Sequence, residues 1–149
     1  MTTIVAVGYW YKGDYQIPLI AMEELRREGI EVIDLSMGAI KASTFLYEIS
    51  PSKLIVLVSE KRGKRELRVY KPERGDAFSD WADIYNNMKA YFMDVESFIK
   101  SSNALGSLPD ETIIIECEVE NEDGEMSDWG KECLKLMKEE VHKILGVKS

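Results

Sequence analysis

Residues 53–59 read KLIVLVS, and their five consecutive aliphatic side chains set the tightest limit on what the chain can fold into. A strand with no polar side cannot lie on a surface, so this one must be covered on both faces. Such strands sit in the middle of parallel sheets, where crossover connections place helices above and below. The flanking segments suit that arrangement. Residues 3–7 form a second short, β-branched apolar run. Ile17, Ile20, Ala21, Glu24 and Leu25 then recur at helical spacing, with Pro18 tolerated in the first turn. The sequence RREG at 26–29 closes that helix with basic residues and a glycine.

Residues 30–35 (IEVIDL) are expected to form another strand, and residues 41–49 (KASTFLYEI) a short helix ending before Ser50-Pro51. Beyond the central strand the pattern changes. Gly63 marks a turn, after which Leu67 and Val69 alternate with Arg68 and Tyr70. Alternation means one covered face, as in an antiparallel or edge strand, and the Lys and Arg residues there are expected to guard the edge against aggregation. Mixed helical periodicity from about residue 76 to 102 suggests two helical pieces. Residues 111–119 (ETIIIECEV) read as a last strand and residues 127–146 as a last helix, with Ser127 as N-cap, Asp128 in the first turn and Gly146 at the end. Its buried stripe should hold Trp129, Cys133, Leu134, Met137, Val141, Ile144 and Leu145. This order predicts a three-layer α/β/α architecture around a mixed, mainly parallel five-stranded sheet. No repeat or linker interrupts it, so residues 1–149 are expected to be a single domain.

A hydrophobic fraction of 45% with 31% charged residues fits a globular chain. The net charge of −8 argues against binding nucleic acid or anionic membranes. No apolar run approaches the roughly 20 residues of a membrane span. The first residues carry neither the basic segment nor the cleavage pattern of a signal peptide, so a cytoplasmic location is expected. Cys117 and Cys133 are expected as buried reduced thiols, and His142 as a partly exposed helix-end histidine.

Sites in sheets of this kind form in loops at the carboxyl ends of the strands, here residues 8–17, 34–41 and 58–63. In the first loop Gly8 is followed by Tyr9, Trp10 and Tyr11, and the next glycine is Gly13. Bulky aromatics at those positions block the backbone approach that a dinucleotide turn needs. The loop also offers neither the hydroxyls nor the closely spaced glycines of a flavin-phosphate site, although Trp10 and Tyr11 offer a stacking surface for a planar small molecule. No G-x-S-x-G elbow occurs, and a single histidine without paired cysteines argues against zinc. In the acid-rich residues 116–125, alternation puts Glu116, Glu118 and Glu120 on one side of the strand, followed by Glu122, Asp123 and Glu125. A hard cation or a basic partner would suit them, but the spacing is not that of a calcium loop and a solvated strand exit and loop is the expectation.

The order of segments resembles the hydrogenase maturation endopeptidases, which trim the C-terminus of nickel-iron hydrogenase large subunits. Their opening, strand then G-N-x-L-x-x-D-[DE]-G-x-G then helix, is similar to residues 5–25, VAVGYWYKGDYQIPLIAMEEL, with Gly8 and Asp14 at matching positions. The family's VEVIDGGTxG looks like IEVIDLSMGA at 30–39, and its LIIxDA strand like LIVLVSE at 54–60. The hairpin strand that follows matches RELRVYKPE at 65–73, and the late segment LPDETIIIECEVE at 108–120 is similar to the family's last strand. The resemblance spans nearly the whole chain and rests on order and hydrophobic frame more than on motif identity.

What the resemblance implies for the site is a loss. Family members hold the nickel of their substrate through an acid, an aspartate and a histidine. The first position, just after Asp14, is Tyr15 here; the second falls on Val58, with Ser59 and Glu60 beyond it; the third lies near residues 88–91, where no histidine occurs. The family's asparagine is Tyr9, and its G-x-G is Gln16-Ile17-Pro18. Tyrosine, with an ordinary pKa of about 10, is a poor ligand for a divalent metal, and valine is none. The resemblance therefore implies a non-catalytic homologue with no catalytic residue, bound metal or cofactor. It would bind a protein partner, a hydrogenase large subunit or related metalloenzyme subunit, through Tyr9, Trp10, Tyr11, Asp14, Tyr15 and Glu60. The aromatics either plug the vacated pocket or face a partner. An active endopeptidase with altered ligands and a flavodoxin-like small-molecule module are the alternatives.

Overall fold

The computed structural model describes residues 2–73 and 95–147. Five strands, β1 (Thr2–Ala6), β2 (Ile33–Asp34), β3 (Lys53–Glu60), β4 (Leu67–Tyr70) and β5 (Glu111–Glu118), form one sheet in the order β2-β1-β3-β5-β4. All neighbours are parallel except β4, which pairs antiparallel to β5 at the sheet's edge. The helices are α1 (Ile17–Arg27), α2 (Ala39–Ile49), α3 (Val95–Ala104) and α4 (Asp128–Leu145), and a 3-10 turn at Gly13–Gln16 precedes α1. The expected central strand is central. The second piece of the mixed helical region is α3, whereas the first, together with the third ligand position near residues 88–91, lies outside the described residues.

Period-two alternation in the strands makes the two cores. Ile4, Ala6, Ile55, Leu57, Ile115 and Cys117 point to one face, where α1 and α4 cover them. Val5, Val7, Leu54, Val56, Val58 and Ile114 point to the other, beneath α2 and α3. Leu54 through Leu57 are fully buried, at roughly 1.5–3 kcal/mol for each such side chain, which is why β3 tolerates no polar side. β2 is shorter than its apolar pattern: it pairs only Ile33 and Asp34 with β1 before Asp34 Oδ1 accepts the Ser36 N–H and turns the chain. Helix α4 starts and stops where expected, with Ser127 Oγ accepting from Gly130 N and Gly146 left-handed at the end. No helix among the described residues is long and apolar enough to cross a membrane.

Three readings of single residues need correction. Cys117 and Cys133 are not thiols but a disulfide that ties β5 to α4, with Cα atoms 6.1 Å apart. Both face the same core from opposite layers, a pairing that sequence spacing does not reveal. His142 is buried, not partly exposed, because it turns across to α1 and its Nε2 donates to Glu28 Oε1 at 2.7 Å. The acid-rich segment is a solvated exit only beyond the strand: Glu120, Glu122, Asp123 and Glu125 are exposed, whereas Glu116 and Glu118 are buried.

Candidate functional site

The opening loop doubles back on itself. Tyr9 N donates to Tyr15 O at 3.0 Å, and Gly8 N donates to Ser36 Oγ at 2.9 Å. A Cβ on Gly8 would stand 2.5 Å from Tyr15 O, so this close approach of backbone to backbone requires glycine. The loop is also clamped to residues 121–124. Gly13 N donates to Gly124 O, Gly124 N donates to Tyr11 O, and Gln16 Nε2 donates to Gly124 O. Held this way, Tyr11 keeps φ at 64°, a left-handed backbone that costs a side-chain-bearing residue about 1–2 kcal/mol.

Asp14 ties the two loops together. Its carboxylate is completely buried and accepts four hydrogen bonds. Oδ2 takes Glu120 N at 2.8 Å, Asn121 N at 2.9 Å and Ser127 Oγ at 2.8 Å, while Oδ1 takes Ser127 N at 2.8 Å. Gly130 makes room, since a Cβ there would lie 2.2 Å from Asp14 Oδ1. With four donors of residues 120–127 on its fully buried carboxylate, and not itself among the cavity's lining residues, Asp14 serves the clamp.

Beside this clamp, at the carboxyl ends of β1 and β3, a cavity of about 410 Å³ opens to the surface. Val7, Gly8, Val58 and Val95 make its apolar part; Tyr9, Lys12, Tyr15, Ser59, Glu60, Glu122 and Asp123 supply the polar groups. Tyr9 and Tyr15 meet edge to face, with centroids 6.3 Å apart. Glu60 Oε1 accepts Val95 N at 2.9 Å. Ser59 is 6% exposed, and its Oγ has no hydrogen-bond partner among the described residues. Burial, followed by the nearby Glu122, Glu60 and Glu118 carboxylates, raises the Tyr15 phenol above its ordinary value.

Of the six residues singled out from the sequence, Tyr9, Tyr15 and Glu60 line the cavity together. Trp10 and Tyr11 do not; they turn outward, 41% and 84% exposed. Asp14 is not among the lining residues and serves the clamp instead. Lys12, in the opening loop, was not singled out, and Glu122 and Asp123 were missed because nothing in the sequence brings positions 120–127 to positions 8–15 except the buried acid between them. Among the described residues no group of three or more His, Cys, Asp or Glu side chains is placed to hold a metal ion.

The acidic strand end forms a separate network along β5 and β4. Arg62 grips Glu116 through Nε at 2.5 Å and Nη2 at 2.9 Å, and Arg68 Nη1 and Tyr70 OH reach the same carboxylate at 3.0 and 2.8 Å. Glu118 accepts Arg62 N and Gly63 N, each at 2.9 Å, and a charge-assisted bond from Arg68 Nη2. Burial by itself would raise the Glu118 carboxyl, but the Arg68 hydrogen bond and the backbone N–H groups of the Gly63 turn hold it below its ordinary value. Arg65 closes on Glu120 with bonds of 2.6 and 2.8 Å. The basic residues of this segment thus neutralise the acids of β5 in addition to occupying the sheet's edge.

No protein family model and no curated protein sequence matches this chain. Solved structures do. A hydrogenase 2 maturation peptidase from a Thaumarchaeota archaeon is 19% identical, with a TM-score of 0.63 over 99% of this chain and 100% of that one. The endopeptidase HycI from Escherichia coli is 16% identical, with a TM-score of 0.70 over 99% and 92%. The [NiFe] hydrogenase maturation protease HybD from Thermococcus kodakarensis is 17% identical, with a TM-score of 0.64 over 96% and 97%. From end to end, therefore, this chain has the fold of the hydrogenase maturation proteases.

Proposed function

We propose that this chain is a non-catalytic relative of the maturation proteases that binds a protein partner through the cavity and the aromatic loop beside it. One observation carries the reading: the positions that the resemblance assigns to metal ligands carry Tyr15, in the 3-10 turn, and Val58, in β3, both lining the cavity, while the neighbouring Asp14 is engaged in the clamp. The outward Trp10 and Tyr11 add the residue types that dominate binding hot spots, on a loop already fixed in place. A hydrogenase large subunit or a related metalloenzyme subunit is the partner suggested by the names of the structural neighbours.

Two measurements test the reading. Calorimetric titration with Ni²⁺ or Cd²⁺ is expected to show no tight stoichiometric uptake, and co-expression with a nickel-loaded large subunit is expected to recover that subunit bound and untrimmed. Stoichiometric metal binding that vanishes in Tyr15→Ala, or C-terminal trimming of the large subunit, would overturn the non-catalytic reading in favour of an endopeptidase with altered ligands.

A further inference from the structure

We infer that the Cys117–Cys133 bridge is a reversible thiol–disulfide clasp that sets the order of the loop at 119–127, and through it the readiness of the cavity and the aromatic loop to bind. This rests on the partner-binding reading above and adds its regulation. The bridge joins the end of β5 to the second turn of α4. Between its two cysteines lies the chain that holds the site together. Glu120, Asn121 and Ser127 supply the clamp on Asp14, Gly124 bonds to Tyr11 and Gly13, and Glu122 and Asp123 line the cavity. Residues 119–127 lie outside every helix and strand, so their position rests on those bonds and on the anchors at either end.

Both anchors outlast the bridge. Cys117 is fixed in the sheet, opposite Ser59 of β3 on one side and Leu67 of β4 on the other. Cys133 belongs to a helix whose later turns stay packed on the same core through Met137 and Val141. Both cysteines are fully buried, and an apolar core accepts a thiol as a small hydrophobic group. Reduction therefore spares the sheet and frees the first turns of α4. These are then held to β5 by the bond from Trp129 Nε1 to Glu118 O at 3.0 Å, and to the opening loop by Asp14. Local opening there lifts Ser127 and Gly130 off Asp14 and takes the cavity wall with them. The coupling runs both ways, since a bridge that favours the closed loop is itself favoured by it. The chemistry is an exchange with a dithiol reductant. Its thiolate attacks one bridge sulfur, the S–S bond breaks, and the other cysteine leaves as a thiolate and takes a proton. The second thiol of the reductant then displaces the first cysteine, so the reductant ends as a disulfide and both cysteines as thiols. Because both sulfurs are buried, the attack waits on the opening.

The test is amide hydrogen exchange of the full chain with the bridge intact, reduced by dithiothreitol, and removed in Cys117→Ala/Cys133→Ala. Reduction is expected to speed exchange several-fold at Glu120, Asn121 and Ser127, whose N–H groups face Asp14, and to leave Leu54 through Leu57 of β3 protected. The double-alanine variant should match the reduced chain and ignore the reductant. Asp14→Asn, which loosens the loop from the other side, should shift the equilibrium with a dithiothreitol redox buffer several-fold toward the thiols. Unchanged exchange at the three clamp amides, loss of protection throughout β3, or an equilibrium indifferent to Asp14→Asn would overturn the clasp. Capture of the nickel-loaded large subunit is compared between the parent chain and the double-alanine variant, because a free dithiol would itself take nickel. Weaker capture by the variant is expected. Equal capture by both overturns the regulation and leaves the partner reading standing; responsive amides with capture by neither keep the clasp and remove the partner reading.

Discussion

Replacing Asp14 by alanine separates its role in the clamp from the role of a ligand. The substitution removes the acceptor for Glu120 N, Asn121 N, Ser127 N and Ser127 Oγ together. A buried donor left unsatisfied costs about 1–3 kcal/mol. Water can reach the exposed Glu120–Asn121 side, so the lower end of that range applies, about 4 kcal/mol for the four donors. That is a large share of the 5–15 kcal/mol typical of a domain's whole stability. Asp14→Asn is milder: its carbonyl oxygen can take the place of Oδ2 and keep three donors, while its amide faces Ser127 N, at about 2–3 kcal/mol. Urea unfolding followed by tryptophan fluorescence reads both, because buried Trp129 sits two residues beyond Ser127. With a slope near 2 kcal/mol per molar urea, the alanine variant should lose about 2 M of midpoint and the asparagine variant about 1 M. A loss below about 0.5 M for Asp14→Ala at unchanged slope would refute the clamp.

Two further outcomes follow from the network around β5. Reducing the Cys117–Cys133 bridge frees a loop with a sequence separation of 16, and the chain-entropy relation puts the loss at about 3 kcal/mol; a melting curve with and without a dithiol reductant, against the Cys117→Ala/Cys133→Ala variant, checks it. Glu118 is held below its ordinary pKa in the folded chain, so its stabilising effect is full above the unfolded-state value and fades as pH falls through the folded-state value. Stability measured by urea midpoints should therefore drop below about pH 4.5, and less steeply in Glu118→Gln than in the parent chain.

The sheet was legible because burial on both faces leaves a strand no polar side. The run at 54–58 demanded a central position, and the alternation of Leu67 and Val69 with Arg68 and Tyr70 demanded an edge, which is where β3 and β4 lie. The ends of α4 were equally plain, since Ser127 and Gly146 are local signals that the backbone itself reads. Pairings across the fold were not. Glu116 and Glu118 read as solvated because carboxylates in isolation belong in water; their burial depends on Arg62 and Arg68, some 50 residues earlier. The cysteines and His142 failed for the same reason, each waiting on a partner from another layer. The candidate site was half legible. Gly8, Tyr9, Tyr15 and Glu60 follow from the rule that loops at carboxyl strand ends build sites, whereas Glu122 and Asp123 come from an acidic segment that nothing local connects to that loop.

The clamp also settles how four aromatics share one loop. Whether they fill a vacated pocket or face outward was open, and the two outcomes compete only if the loop is free to choose. It is not: Tyr9 N bonded to Tyr15 O folds those two rings against each other along the cavity, while the bonds of Gly124 to Tyr11 and Gly13 hold the loop's tip in a left-handed turn. The fold of the loop divides the aromatics into an inner pair, Tyr9 and Tyr15, and an outer pair, Trp10 and Tyr11, and the inner pair leaves about 410 Å³ unfilled. On the partner-binding proposal, a loop whose walls are fixed by a fully buried carboxylate would meet its ordering cost in folding, so that this cost would not recur when a partner binds.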